Sequence, residues 1–219
     1  PTSRWIHVGD RGADNFEFFE GCRQMGAEFL IRASQDRRTA LGHEGDDPSG
    51  LLMQLARALP AVGETTLTVR ARPQRNPRQA KLSVAWAPMT VFAPCLGKET
   101  TPPLRVWVVR VWEVDPPAEE KPIEWILLTT VSVEDVSVAL LVARWYSLRW
   151  LVEEYHKCLK TGCSAEGRQL EEVERFRACL ALLAITAVRL LQLKLAARDD
   201  PDRPASQCAP ASHVAVLAA

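Results

Sequence analysis

The 219-residue chain has no net charge, since 27 Lys and Arg balance 27 Asp and Glu. A global electrostatic case for a polyanionic partner is therefore absent, and any such case must rest on local charge. The six cysteines (Cys22, Cys95, Cys158, Cys163, Cys179, Cys208) include no CxxC pair and no His at zinc spacing. That excludes the usual zinc patterns and reads as reduced cytosolic thiols. No signal peptide opens the chain, and its first residue is Pro1 rather than Met, so it is expected to begin inside a longer protein. The most apolar run, Ala178 to Val188, is 11 residues long and is followed by Arg189. It is too short to span a bilayer, and a buried helix is expected there. Internal repeats are lacking.

What is present is an ordinary globular composition, 47% apolar and 25% charged, long enough for one core or somewhat more. The stretch from Tyr146 to Lys160 has no Gly or Pro and is rich in helix formers, so it reads as one continuous α-helix. At helical spacing Tyr146, Arg149, Glu153 and Lys160 share a face within roughly 60°, with Lys157 joining it and His156 at the margin. Glu154 lies roughly 100° from Glu153, which singles out Glu153 as the carboxylate among the cations. One acid among several basic groups suits a site where the acid holds a divalent cation and the bases hold phosphate oxygens. The same pattern also fits a solvated face laced with Glu–Lys pairs.

Upstream, Arg4 to Gly9 reads as a strand, Asn15 to Met25 as a helix capped by Asp14 and stopped by Gly26, and Phe29 to Arg32 as a second strand. Such a unit is expected to be parallel and right-handed. Asp10 then sits at the carboxyl end of a parallel strand, where α/β sheets place ligands, although Gly-Asp-Arg-Gly is also a plain turn. A polar stretch, a short helix from Ser49 to Leu59 and strands at 65–68, 81–86 and 105–114 suggest an antiparallel β insertion over 35–122. Within it, Arg70, Arg72, Arg75, Arg78 and Lys81 make a segment of five cations and no acid. As a hairpin tip it would grip a phosphate backbone without reading sequence, or simply be solvated. Glu124 to Thr130 is a strand, and Ser132 is expected to cap the next helix with Asp135 at the box position. Residues 171–197 read as a long helix, and 198–219 as a flexible tail.

The spacing Tyr-x2-Arg-x3-Glu-x6-Lys resembles the YREK motif of DDE transposases of the insertion-sequence-four family. The segment Asp10-Arg11-Gly12-Ala13-Asp14 is similar to the one carrying that family's second catalytic Asp. The resemblance covers about Trp5 to Leu195. It implies an α/β, partial RNase H-like fold comprising the last strands and helices of the core, with the β insertion and carboxyl-terminal helices. It further implies that Asp10 and Glu153 are catalytic metal ligands for Mg2+, with Mn2+ able to substitute. Tyr146, Arg149, Lys160 and Arg32 would contact phosphate. Trp125 matches a position where an aromatic ring receives a flipped base; stacking suits Trp, although most of the seven tryptophans are expected in the core. The implied partners are double-stranded DNA, as transposon ends and as target, and a second copy in the synaptic complex, with no membrane. The implied location is the bacterial cytoplasm, at the nucleoid.

A DDE site needs three carboxylates, and the family draws the first from a strand upstream of the segment around Asp10. Only nine residues precede Asp10 here, so that Asp and the first strands of the core are expected to be missing, leaving one edge of the Trp5–Val8 strand open. The implied activity is cut-and-paste excision and integration by phosphoryl transfer, with this fragment alone inactive. The competing readings are a catalytically inactive DNA-binding remnant of a decayed element, and a different metal-dependent nuclease on the same sheet, which the Tyr and Arg of the signature disfavour.

Overall fold

The computed structural model describes residues 4–44, 47–69, 77–94 and 102–217. The chain divides into two compact units, Pro1–Arg149 and Trp150–Ala219.

In the first unit, short apolar runs punctuated by Gly, Pro and Asp form strands β1 (Ile6–Gly9), β2 (Glu28–Arg32), β3 (Arg38–Leu41), β4 (Gly50–Leu51), β5 (Gly63–Val69), β6 (Arg78–Val91), β7 (Leu104–Glu113) and β8 (Glu124–Thr129). Among the described residues they make one sheet in the order β1-β2-β8-β7-β6-β3-β4, with β5 also paired to β6. The strands expected to form an insertion are thus hydrogen-bonded into the same sheet as β1, β2 and β8. The β1–β2 pair is parallel, with Gly9 opposite Ile31; the other pairings are antiparallel. Mixed α/β architecture with this sheet fits the expected RNase H-like fold.

Alternation along the strands supplies two apolar faces. Phe29 and Ile31 of β2 join Phe19, Cys22, Leu52 and Ala56 on one side. Leu30 joins Val84, Val109, Val142 and Tyr146 on the other. Helices α1 (Phe16–Gln24) and α2 (Leu52–Ala58) cover the first face, and α3 (Val136–Ser147) the second. The central strands therefore bury both sides, because helices cover both faces of this mostly antiparallel sheet. Pro88 is tolerated inside β6 because its backbone faces the gap between the start of β5, where Gly63 lies opposite Val84, and the end of β3, where Leu41 lies opposite Met89. Its carbonyl accepts from the Gly42 N–H at 2.8 Å, so no ladder bond is asked of its missing N–H.

Three local expectations are corrected. Asn15, not Asp14, caps α1: its side chain accepts from Phe18 N at 2.8 Å. Gly26 does stop the helix, at φ +63°, with Ala27 N donating to Cys22 O and Gly26 N to Arg23 O, a Schellman closure. Asp135, not Ser132, caps α3, accepting from Ser137 N and Val138 N. The third correction is the largest. The stretch 146–160 is not one helix. Helix α3 ends at Ser147 with short bonds from Leu148 N to Trp145 O and from Arg149 N to Tyr146 O. Helix α4 (Trp150–Lys157) begins anew and passes into a π-turn at Cys158–Gly162.

The second unit consists of α4, the π-turn, α5 (Val173–Asp199) and α6 (Ala211–Leu217). The tail expected to be flexible thus carries a short helix. Cys158, Cys163 and Ala187 form its buried apolar cluster, flanked by Tyr155, Leu159, Leu183 and Leu191. Glu154 fastens α4 to α5: it accepts from Lys194 and, at 3.2 Å, from Lys157. The expected buried helix is instead largely exposed, with Leu182 at 68% and Ile185 at 64%. By length and composition α5 can cross a membrane, with an 18-residue window of mean hydropathy 1.8, so shortness does not exclude a span.

Candidate active site

Asp10 follows the last residue of β1, at the strand's carboxyl end. Gly9 makes this turn possible: a Cβ there would lie 2.7 Å from Ile31 Cδ1 and 2.8 Å from Ala13 Cβ. Asp10 Oδ1 accepts from Gly12 N at 2.9 Å, capping the 3-10 turn Arg11–Ala13. Its Oδ2 faces Arg149 Nη1 at 3.6 Å, with the Asp10 side chain 57% exposed. Two predicted site residues from opposite ends of the unit therefore meet. The helix break after Ser147 is what places Arg149 beyond α3, on the turn into α4 rather than on a continuous helical face.

The neighbouring turn is held from below. Asp14 is buried, and its carboxylate accepts from Ser34 N (2.6 Å), Gln35 N (2.8 Å) and Arg37. The Arg37 guanidinium also donates to Asp14 O at 2.7 Å and lies over the Phe16 and Phe19 rings. The pair ties the loop after β2 to the loop after β1, close to Arg32 at the end of β2 and to Asp10. Arg32 is half-buried, and its Nη2 donates to Glu124 O at 2.7 Å.

Tyr146, implied by the resemblance to contact phosphate, is only 7% exposed and packs edge-on to Trp125 with ring centroids 5.2 Å apart. Trp125 is half-buried and lines a cleft of about 470 Å³ with Leu82, Leu140, Arg144 and Ser147. Of the basic segment, Arg70, Arg72 and Arg75 lie outside the described residues. Arg78 is no hairpin tip. It is the first residue of β6, and its guanidinium is 15% exposed, bonded to Glu113 at 2.8 Å and to Glu120. Lys81, also within β6, pairs with Glu64 at 3.0 Å on the surface.

In the second unit, Glu153 is exposed in the first turn of α4. Glu154 is the carboxylate already taken, its pKa held below the usual range by the hydrogen bond from Lys194, with Lys157 adding to it against the cost of burial. Lys157 is thereby engaged, and Lys160, in the π-turn, pairs with Glu166 at 2.7 Å. Helix angles favour Glu153 over Glu154 in the sequence; in the structure Glu154 is engaged by Lys194 and Lys157.

Asp10 and Glu153 belong to different units. Their oxygens are hard donors of the kind Mg2+ and Mn2+ take. Among the described residues no group of three or more His, Cys, Asp or Glu comes together to hold a metal ion. The donor type fits a divalent cation, while the number of ligands calls for a further carboxylate. Sequence reasoning passes over Arg57, Arg110 and the Glu124 side chain, which join in a cluster: Arg57 Nη2 meets Glu124 at 2.7 Å and Arg110 Nη2 at 3.0 Å. These residues lie far apart in sequence, and only their positions on α2, β7 and β8 bring them together. A family model described as the transposase DDE domain matches residues 6–189, from β1 into α5.

Proposed function

We propose, because the chain belongs to the transposase DDE-domain family, that it acts as a cut-and-paste transposase of the insertion-sequence-four branch. Its substrate is double-stranded DNA, first at the ends of a mobile element and then at a target. The observation that carries this reading is the Asp10 carboxylate at the carboxyl end of β1, 3.6 Å from the Arg149 guanidinium. An acid at that strand end beside an arginine is what phosphoryl transfer asks of a protein: a cation ligand and a phosphate clamp.

Asp10 and Glu153 would hold Mg2+, or Mn2+ in its place, together with a third carboxylate from a strand that precedes β1. Such an ion, when bound, activates water and neutralises charge on the leaving oxygen. Arg149 holds a phosphate oxygen and orients the phosphodiester, and Lys160 and Arg32 do the same for its neighbours. Trp125 offers a ring at the mouth of its cleft on which a flipped base can stack. Tyr146 supports that ring from inside the core rather than touching phosphate. Arg78 and Lys157, engaged by acids, serve as braces. β1 pairs only with β2 among the described residues, which leaves an edge for the strand bearing the first Asp. The enzyme works as a pair of copies on nucleoid DNA in the bacterial cytoplasm.

The test is Mg2+-dependent cleavage of the element's own ends by the protein extended upstream. Asp10→Ala and Glu153→Ala should each reduce cleavage to background while DNA binding persists. Cleavage at the unmodified rate in either variant sinks the assignment. The alternative, a DNA-binding remnant, is favoured instead when the upstream reading frame is closed by a stop codon.

A further inference from the structure

A second cleft, of about 300 Å³, opens in the first unit and is lined by Arg11, Arg32, Ser34, Met53, Arg57 and Glu124. Three guanidiniums face it and one carboxylate. That carboxylate is spoken for: Glu124 accepts from Arg57 at 2.7 Å and also pairs with Arg110 at 3.0 Å. Arg110 further donates to Arg57 O at 2.9 Å and stacks on the Trp112 ring, 4.2 Å from its centroid. Among the described residues neither Arg11 nor Arg32 has a carboxylate partner. The cleft therefore holds an excess of positive charge that no acid offsets.

The brace of Arg57, Glu124 and Arg110 ties α2 to β7 and β8, and that alone would account for those three residues. It does not account for Arg11 and Arg32 turned to the same space. Arg32 is fixed by its bond to Glu124 O and Arg57 by its bonds to the Glu124 carboxylate. Guanidiniums already held in place lose little freedom on meeting an anion. The position is also telling. Arg11 is the residue after Asp10, and Arg32 ends β2, the parallel neighbour of β1. The Ser34 hydroxyl donates to Arg11 O at 3.2 Å, joining the two loops at the cleft wall.

We propose that this cleft is a phosphate subsite that holds the DNA backbone beside Asp10, with Arg11 and Arg57 adding to Arg32 to grip a phosphodiester neighbouring the one acted on. It rests on the reading of Asp10 as the catalytic carboxylate only for its place along the strand. Its ligand is the phosphodiester of DNA, held by bidentate guanidinium contacts that carry no base information.

The test measures binding of a labelled duplex of about 20 base pairs and arbitrary sequence across a salt series, without divalent cation. Arg11→Gln should lower the slope of log affinity against log salt by about 1, and Arg11→Gln with Arg57→Gln by about 2. Arg175→Gln, on exposed α5, should leave the slope unchanged. Because Arg57→Gln also loosens the Glu124 brace, Arg11→Gln decides alone if the double variant fails to fold. An unchanged slope in folded Arg11→Gln overturns the proposal. So does inorganic phosphate binding that depends on Arg11 while duplex binding does not, which marks a small-anion pocket. Asp10→Ala should bind the duplex with the original slope, so failure of the catalytic assignment appears in cleavage and failure of this subsite in the salt series.

Discussion

The first unit hides its apolar residues in two layers around a sheet, whereas the second has only four buried apolar residues among the described residues and wears most of α5 on its surface. Asp10, Arg149, Arg32 and Trp125 belong to the former; Glu153 and Lys160 belong to the latter. The contrast teaches where precision comes from. In the first unit a side chain is aimed by strands that cannot shift without opening a core. In the second, ion pairs around Glu154 do much of the fastening, and those depend on protonation and salt.

Core truncation should separate the units most sharply. Phe19, 1% exposed and stacked on Phe29 at 4.8 Å, should cost about 3–5 kcal/mol as Phe19→Ala in urea unfolding. A loss below about 1 kcal/mol would deny that this layer is tightly packed. Asp14→Ala should cost a similar amount, about 3–5 kcal/mol, because it strands the buried Arg37 charge. That variant should lose cleavage as well, since both catalytic-side loops hang on the pair. Gly9→Ala places a methyl against Ile31 and Ala13 and should cost about 1–3 kcal/mol. Cleavage should fall further than that loss of folded protein explains, and parallel losses would mean that Gly9 does not position Asp10.

Acid should probe the second unit. Glu154 has a lowered pKa in the folded chain, so its contribution is present above the ordinary value of 4.5 and is lost as pH falls below it through the folded value. Glu154→Gln should flatten that part of the unfolding profile, and an unchanged profile would remove Glu154 as the fastener of α4 to α5. The smallest effect is expected at Leu182, 68% exposed: Leu182→Ser should change stability by less than about 0.5 kcal/mol. A larger loss would show that α5 has a partner in solution.

Much of the first unit is legible in the sequence, because the β1-α1-β2 run and β8 advertise themselves by alternation and by Gly26 at a helix end. Asp10 can be placed at a strand end for the same reason. The helix break at Leu148–Arg149 is not legible: no Gly or Pro marks it, and good helix formers run through it. Asp14 looks like a cap because its type and position suit one, but Arg37 claims it. Arg78 looks unopposed because Glu113 and Glu120 are 35 and 42 residues away in sequence. The apolar run in α5 reads as buried because composition says how readily a surface leaves water, not whether anything arrives to cover it.

By itself the order of residues determined the β1-α1-β2 run, β8 and the acid at the end of β1. These follow from local preferences and short periodicities that neighbouring residues carry among themselves. Tertiary structure alone decided that Arg149 faces Asp10, that Tyr146 lies inward against Trp125, and that Arg11, Arg32 and Arg57 line one cleft. Each of those depends on which distant side chain occupies the same few ångströms, and charge pairing and burial are settled only there.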